Sequence, residues 1–269
     1  MSDKTNTNHS SAYDWRAAAL EAGWLIPDWP APGNVNAVST TRAGGVSQSP
    51  FERLNLGDHV GDDGLAVAAN RHRVGEVLRL PTEPLWLEQV HGTTVSAMKA
   101  ASCYPQADAS VAFRPRQVSV VMTADCLPVL FCDRRGTRVA SAHAGWRGLC
   151  DGVIEQTLAR LECAPAEVLV WLGPAIGAQA FEVGDEVRAA FLARDPAAAG
   201  AFEPGKTAGK WLADIYQLAR QRLSARGVRQ VYGGEFCTVS DPERFFSYRR
   251  DGQTGRMASL IWLSADSAG

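Results

Sequence analysis

Apolar and polar positions along the chain follow two periods. Between residues 64 and 80, Leu65, Ala68, Ala69, Val74, Val77 and Leu78 recur close to every 3.6 positions, which predicts a helix. Residues 148–161 carry a matching stripe of Leu149, Val153, Ile154, Leu158 and Leu161. Further helices are predicted over 182–193 and 211–225. Short apolar runs bounded by turn residues predict strands at 35–40, 85–89, 93–98, 107–113, 118–122, 128–132, 138–142, 168–172, 229–232 and 256–263. Strand-rich stretches interrupted by four helices predict a mixed α/β (α+β) architecture whose helical stripes face a core.

The remaining segments read as connections. The first 12 residues are polar and predict a disordered tail, leaving 13–265 as a single domain. Residues 15–32 hold Pro27, Pro30 and Pro32 and read as a lead-in rather than a long element. Residues 42–63 form a long loop, which is uncommon unless it has a function. Residues 194–210, rich in Ala, Gly and Pro, are predicted to be a surface loop.

That loop contains Gly200-Ala-Phe-Glu-Pro-Gly-Lys-Thr207, a formal match to a phosphate-binding GxxxxGK[ST] loop. The match lacks a preceding strand, Pro204 removes one amide, and Glu203 would set a carboxylate against phosphate. An ATP site is therefore rejected. The zinc deaminase signature HxE…PCxxC is absent, as are HExxH and GxSxG.

Composition narrows the class. With 269 residues, 46% of them apolar, the chain can bury a large core, and 27 basic against 29 acidic residues give a net charge of -2. That balance argues against phosphate-driven nucleic-acid binding. No 18-residue apolar run suggests a membrane span, and the N-terminus lacks the apolar core of a secretory signal. Six irregularly spaced cysteines without a CxxC pair read as free thiols, so a cytoplasmic location is expected.

Against this background three side chains stand out. His91, Cys126 and His143 each sit at the end of a predicted strand, so sheet formation can bring two imidazoles and a thiolate together. Two histidines and one cysteine with an open fourth position form a valid catalytic zinc set. The bland alternative, core or surface residues with no common purpose, applies to each of them singly. Asp125 adjoins Cys126 and is a candidate proton relay. His143 begins His-Ala-Gly-Trp-Arg-Gly, with a helix expected to open after Gly148. A helix start favours anions, and Arg147 would add charge-assisted hydrogen bonds. Trp146 is a candidate stacking surface. Arg42, before a Gly-Gly pair, and Arg249, in an aromatic and arginine-rich loop, are candidate substrate- or phosphate-binding residues. Cys237 reads as a lining thiol or a packed free cysteine.

From about residue 35 to residue 263 the chain resembles the laccase-domain family, whose members have been called polyphenol oxidases, purine nucleoside phosphorylases and peptidoglycan editing factors. The resemblance is carried, in order, by Thr40-Thr-Arg-Ala-Gly-Gly-Val-Ser47, Leu54-Asn-Leu-Gly-Asp-His-Val-Gly-Asp-Asp63, Glu88-Gln-Val-His-Gly-Thr93 and Thr123-Ala-Asp-Cys-Leu-Pro-Val129. It continues through Ala142-His-Ala-Gly-Trp-Arg-Gly148, Leu172-Gly-Pro-Ala-Ile-Gly177 and Phe245-Phe-Ser-Tyr-Arg-Arg-Asp-Gly252. Thr238-Val239 departs from the aromatic residue expected after the Cys-Thr pair.

The resemblance implies a layered sandwich of mixed sheets flanked by helices, similar to the cysteine hydrolase fold of the cytotoxic necrotizing factor type. It implies Zn2+ held by His91, Cys126 and His143. It further implies phosphorolysis of adenosine, inosine, guanosine and 5'-methylthioadenosine, with adenosine deamination as a second activity and nucleoside and phosphate as partners. Three alternatives stay open: a Cys/His amidase with Cys126 as nucleophile and His143 as base, acting on peptidoglycan precursors; a copper-dependent polyphenol oxidase side activity; and a non-catalytic, metal-stabilised binding protein. A multicopper oxidase needs a blue-copper centre and a trinuclear cluster, more imidazoles than the five in this chain. Any Cu2+ in a single His/His/Cys set would be adventitious.

Overall fold

The computed structural model describes residues 13–98 and 104–264, so the predicted tail at 1–12 lies outside the described residues. The strands are β1 (Val35–Ser39), β2 (Val95–Ala97), β3 (Ala109–Ala112), β4 (Val118–Thr123), β5 (Leu127–Asp133), β6 (Val139–Ala144) and β7 (Val168–Leu172). They continue with β8 (Glu182–Gly184), β9 (Phe202–Pro204), β10 (Lys210–Ala213), β11 (Gln230–Gly233) and β12 (Met257–Leu263). The helices are α1 (Trp15–Glu21), α2 (Gly64–Leu78), α3 (Trp146–Asp151), α4 (Val153–Leu161), α5 (Asp185–Arg194), α6 (Ile215–Ala225) and α7 (Tyr248–Asp251).

Two main sheets form the frame. One is antiparallel in the order β1-β12-β4; the other is mixed, β11-β7-β5-β6-β3-β2, and parallel only at its β11–β7 and β3–β2 edges. The period-2 alternation decides which face each residue serves. In β5, Leu127, Val129 and Phe131 join the core beneath α4 and α6, whereas Leu130 and Cys132 face the layer shared with β1 and β12. In β12, Ala258, Leu260 and Trp262 pack with α1 and α2, while Ile261 and Leu263 turn to the other sheet. The result is helices, sheet, sheet, helices. Between the sheets, Ser119 Oγ lies 2.6 Å from Ser110 Oγ and 2.7 Å from Ser141 Oγ, so these polar groups pair with each other inside the sandwich.

Several elements differ from the sequence reading. Residues 85–89 form no strand and make only isolated pairings of Leu85 with Ser119 and Glu88 with Gln106. A helix, α1, lies inside the lead-in, capped by Asp14, which accepts from the Arg16 and Ala17 amides. The expected surface loop at 194–210 contains a 3-10 helix, Pro196–Ala201, and β9, which pairs with β10. The two predicted helices at 182 and 211 each begin with a strand, β8 and β10, that completes this small sheet. Asp214 starts α6 by accepting from the Gln217 amide. The rejected phosphate loop is thus a 3-10 helix and one arm of a hairpin. Among the described residues no helix is long and apolar enough to cross a membrane.

Candidate metal centre

The antiparallel register of β3 and β6 builds the site. Ala109 lies opposite Ala142, which places Asp108, just before β3, beside His143 near the end of β6. His143 is therefore within a strand rather than after it. Cys126 lies in the bend between β4 and β5, and β5 continues alongside β6, with Pro128 opposite His143. His91 comes from the irregular segment after residue 85. The ligating atoms of His91, Cys126 and His143 all lie within 4.8 Å of one another. Cys126 Sγ is 3.7 Å from His91 Nε2, and the two imidazole rings meet edge to face with centroids 4.7 Å apart. The expected triad assembles.

Asp108 holds it together. The side chain is fully buried, and Oδ1 accepts from the His91 amide at 2.9 Å and sits 2.8 Å from His143 Nδ1. Oδ2 accepts from the Gly92 amide at 2.7 Å and the Val90 amide at 3.2 Å. One carboxylate thus fixes the backbone of one ligand and the ring of another. The left-handed φ of 60° at His91, a conformation tolerated by histidine more than by most residues, is secured by those amide bonds. Because Nδ1 of His143 faces a carboxylate, Nε2 is the nitrogen left for a metal, a carboxylate–histidine arrangement common behind metal sites.

Electrostatics follow from this packing. Burial alone would push the Cys126 thiol up, but the charge and hydrogen bond of His143, together with His91, outweigh it and bring the thiol down to about 6. Burial opposes a charged His143, yet the Cys126 thiolate and Asp108 raise it to about 9. Burial also works against the Asp108 carboxylate. The His143 contact and the amides of Gly92 and Val90 prevail and hold it below its ordinary value. The packing thus favours a thiolate at Cys126 beside a charged His143, with the Asp108 carboxylate behind them.

One donor pair already has the spacing a tetrahedral ion requires, and the third donor lies within 4.8 Å of both. Zn–S of about 2.3 Å and Zn–N of about 2.0–2.1 Å separate sulfur and nitrogen by about 3.6 Å, close to the 3.7 Å between Cys126 and His91. Gly145 makes the space: a Cβ there would lie 2.7 Å from His91 Cδ2 and 3.0 Å from Cys126 Sγ. The triad opens into a cleft of ≈ 280 Å³ also lined by His59, Gln89, Met122, Tyr248 and Arg256. Gln89 is clamped to the Met122 backbone, receiving its amide at 2.7 Å and giving to its carbonyl at 2.8 Å.

The other predicted site residues are placed as follows. Asp125 Oδ1 accepts from Thr238 Oγ1 at 2.6 Å and Oδ2 from the Arg249 amide at 2.7 Å, so its carboxylate braces two loops. Arg249 turns its guanidinium to the carbonyls of Glu182, at 3.0 Å, and Ala180. Arg42 donates to the carbonyls of Glu52 at 2.8 Å and Pro242 at 3.0 Å and stacks over Phe246. Arg147 is exposed over the Trp146 ring, and Trp146 packs against the core. The helix opens at Trp146, not after Gly148, and Gly148 is buried where a Cβ would meet the Gly92 carbonyl at 2.7 Å. Cys237 Sγ lies apart from the cleft lining and accepts from the Gly177 amide at 3.3 Å.

Asp108, His59, Gln89, Tyr248 and Arg256 were not singled out in the sequence. His59, Gln89 and Tyr248 stand inside the family-like blocks, and Asp108 carried a physical signal: a carboxylate inside the apolar run Ala107-Asp-Ala-Ser-Val-Ala112, where a buried charge requires partners.

A family model described as multi-copper polyphenol oxidoreductase laccase matches residues 36–264. Purine nucleoside phosphorylase PA4543 of Pseudomonas aeruginosa is 58% identical over 240 residues, covering 89% of this chain and 98% of that protein. Purine nucleoside phosphorylase YfiH of Escherichia coli is 55% identical over the same shares. The crystal structure of Neisseria meningitidis protein NMB0706 superposes with a TM-score of 0.86 at 55% identity, covering 90% of this chain and 99% of that one.

Proposed function

The chain belongs to the laccase-domain family, and from that premise we propose that it is a zinc-dependent purine nucleoside phosphorylase acting on adenosine, inosine, guanosine and 5'-methylthioadenosine. The observation that carries this reading is the His91–Cys126–His143 triangle, its ligating atoms within 4.8 Å, open to a cleft. Relatives 58% and 55% identical over 240 residues bear the phosphorylase name. A zinc ion held by the three side chains would supply Lewis acidity at its open position.

The chain's own residues perform the remaining work. Asp108 fixes the ring of His143 and the backbone of His91, so the ligands need no reorganisation when substrate arrives. In phosphorolysis, a phosphate oxygen forms a bond to the anomeric carbon as the bond from that carbon to the purine nitrogen breaks. The electron pair leaves with the base, which takes a proton, and the sugar departs as its 1-phosphate. The same cleft is proposed to support adenosine deamination, in which water replaces the amino group at C6 and ammonia leaves.

Metal analysis of protein purified without added metal, followed by a nucleoside panel with and without phosphate, tests the proposal. About one zinc per chain and phosphate-dependent release of free base are expected. Nucleosides left intact by zinc-loaded protein would overturn it.

The Asp108–His143–Cys126 alignment favours one second reading, a thiol hydrolase with Cys126 as nucleophile and His143 as base. Turnover of an amide substrate that survives chelation, with an acyl group trapped on Cys126, would replace the zinc reading.

A further inference from the structure

A phosphorylase must hold a dianion beside a neutral nucleoside, and Arg42, Arg147 and Arg249 do not line the metal-centre cleft. Arg42 and Arg249 donate to backbone carbonyls, and Arg147 lies over Trp146. Among the described residues, one arginine lines the metal-centre cleft, Arg256.

Arg256 is built in place. Its amide donates to Asn55 Oδ1 at 2.9 Å, at the entry to β12. One guanidinium nitrogen, Nη1, donates to the carbonyls of Thr254 at 2.8 Å and Gly255 at 3.0 Å. Nε and Nη2 make no hydrogen bond to the described residues, and the side chain lines the cleft shared with His91, Cys126 and His143. Beside it stands His59, and Gly57 is what lets the two side chains meet. A Cβ at Gly57 would lie 2.7 Å from Arg256 Cγ and 3.4 Å from His59 Cε1. The neighbouring Asp58 faces Arg71 with Oδ2 at 3.4 Å and His59 Nδ1 with Oδ1 at 3.6 Å, and it makes no ion pair with Arg256. Burial and then the charge of Arg256 hold the His59 ring below its ordinary value against the opposing pull of Asp58, which favours a neutral imidazole.

We propose that Arg256 and His59 form the phosphate subsite of this cleft, with the free edge of the Arg256 guanidinium holding inorganic phosphate across from His91, Cys126 and His143. This rests on the phosphorylase reading, since purine and ribose are neutral and phosphate is the one anionic reactant for a guanidinium in this cleft. A planar fork matched to two oxygens gives the charge-assisted, two-point contact that a phosphate needs.

The test uses the zinc-loaded full chain with inosine and inorganic phosphate, comparing wild type with Arg256→Gln, Arg256→Lys and His59→Gln. Zinc content is measured for each. Loss of a charge-assisted contact predicts a KM for phosphate raised roughly 10- to 100-fold in Arg256→Gln, with the KM for inosine nearly unchanged. Arg256→Lys should restore part of the loss, and His59→Gln, at a more exposed position, should show a smaller rise in the same constant. As a binding readout without turnover, inorganic phosphate should raise the melting temperature of wild type more than that of Arg256→Gln.

An unchanged phosphate KM in Arg256→Gln, while wild type phosphorolyses inosine, would overturn the subsite and leave the phosphorylase reading intact. If wild type releases no base in a phosphate-dependent way, the phosphorylase reading fails. The melting shift then decides the subsite, and equal stabilisation of wild type and Arg256→Gln by phosphate would overturn it.

Discussion

Replacing Asp108 by asparagine changes almost no volume and removes one charge, yet it should disable the metal centre. All four neighbours of the carboxylate are nitrogens: the His91 amide and His143 Nδ1 at Oδ1, and the Gly92 and Val90 amides at Oδ2. An asparagine must put its NH2 group at one of the two positions. At the Oδ2 position it confronts two amide donors. At the Oδ1 position it confronts only the His91 amide, and it then donates to His143 Nδ1. That second arrangement leaves fewer donors unpaired, and it moves the His143 proton onto Nε2, the nitrogen a metal requires.

Either orientation leaves at least one buried donor without a partner, a cost of about 1–3 kcal/mol. Loss of such a supporting group typically weakens metal binding about 10- to 100-fold, equivalent to about 1.4–2.7 kcal/mol. Competition with a chromophoric chelator measures that factor, and the thiolate-to-metal charge-transfer band of the cobalt-substituted protein reports ligand geometry without reference to activity. Melting both proteins after chelation separates the structural cost from the metal-dependent one. Zinc affinity within about threefold of wild type, with an unaltered cobalt spectrum, would refute the reasoning.

Gly145→Ala should lower metal affinity while leaving the fold intact, because the new methyl would lie against His91 and Cys126; chelator competition together with far-UV circular dichroism checks this. In chelated protein, iodoacetamide labelling of Cys126 should rise as pH increases through about 6, rather than near its ordinary 9.0, while buried Cys132, whose thiol is pushed up by burial, stays unlabelled; peptide mass spectrometry distinguishes the two. Asp108, held below its ordinary 3.8, contributes stability that is present above that pH and is lost as pH falls through its lower folded value. The acid limb of a melting-temperature profile of chelated protein should therefore flatten in Asp108→Asn. Phe131→Ala, at a fully buried position of β5, should cost about 3–5 kcal/mol by urea denaturation and reduce activity only through the folded fraction.

How much of this was legible beforehand can be seen residue by residue. β1, α2, β5, β7 and β12 follow from apolar periodicity, since burial on one or both faces leaves its period in the chain. His91, Cys126 and His143 were visible as residue types suited to a metal, and the ordered motifs around them pointed to one family. The short pairings of β8, β9 and β10 left no comparable trace, because their stability comes from neighbours distant in sequence rather than from local propensity. Helix α1 was obscured by the prolines that follow it.

The amino-acid sequence by itself determined the α/β class, the family and the candidacy of His91, Cys126 and His143, because each of those is written in local pattern or in ordered motifs. Tertiary structure alone decided that Asp108 lies opposite His143, that Arg256 faces the cleft, and that Arg42 and Arg249 are committed to backbone carbonyls. The physical reason is register. Which side chains share a few ångströms of space depends on how strands far apart in the chain align, and a shift of one residue would turn each of them to the opposite face.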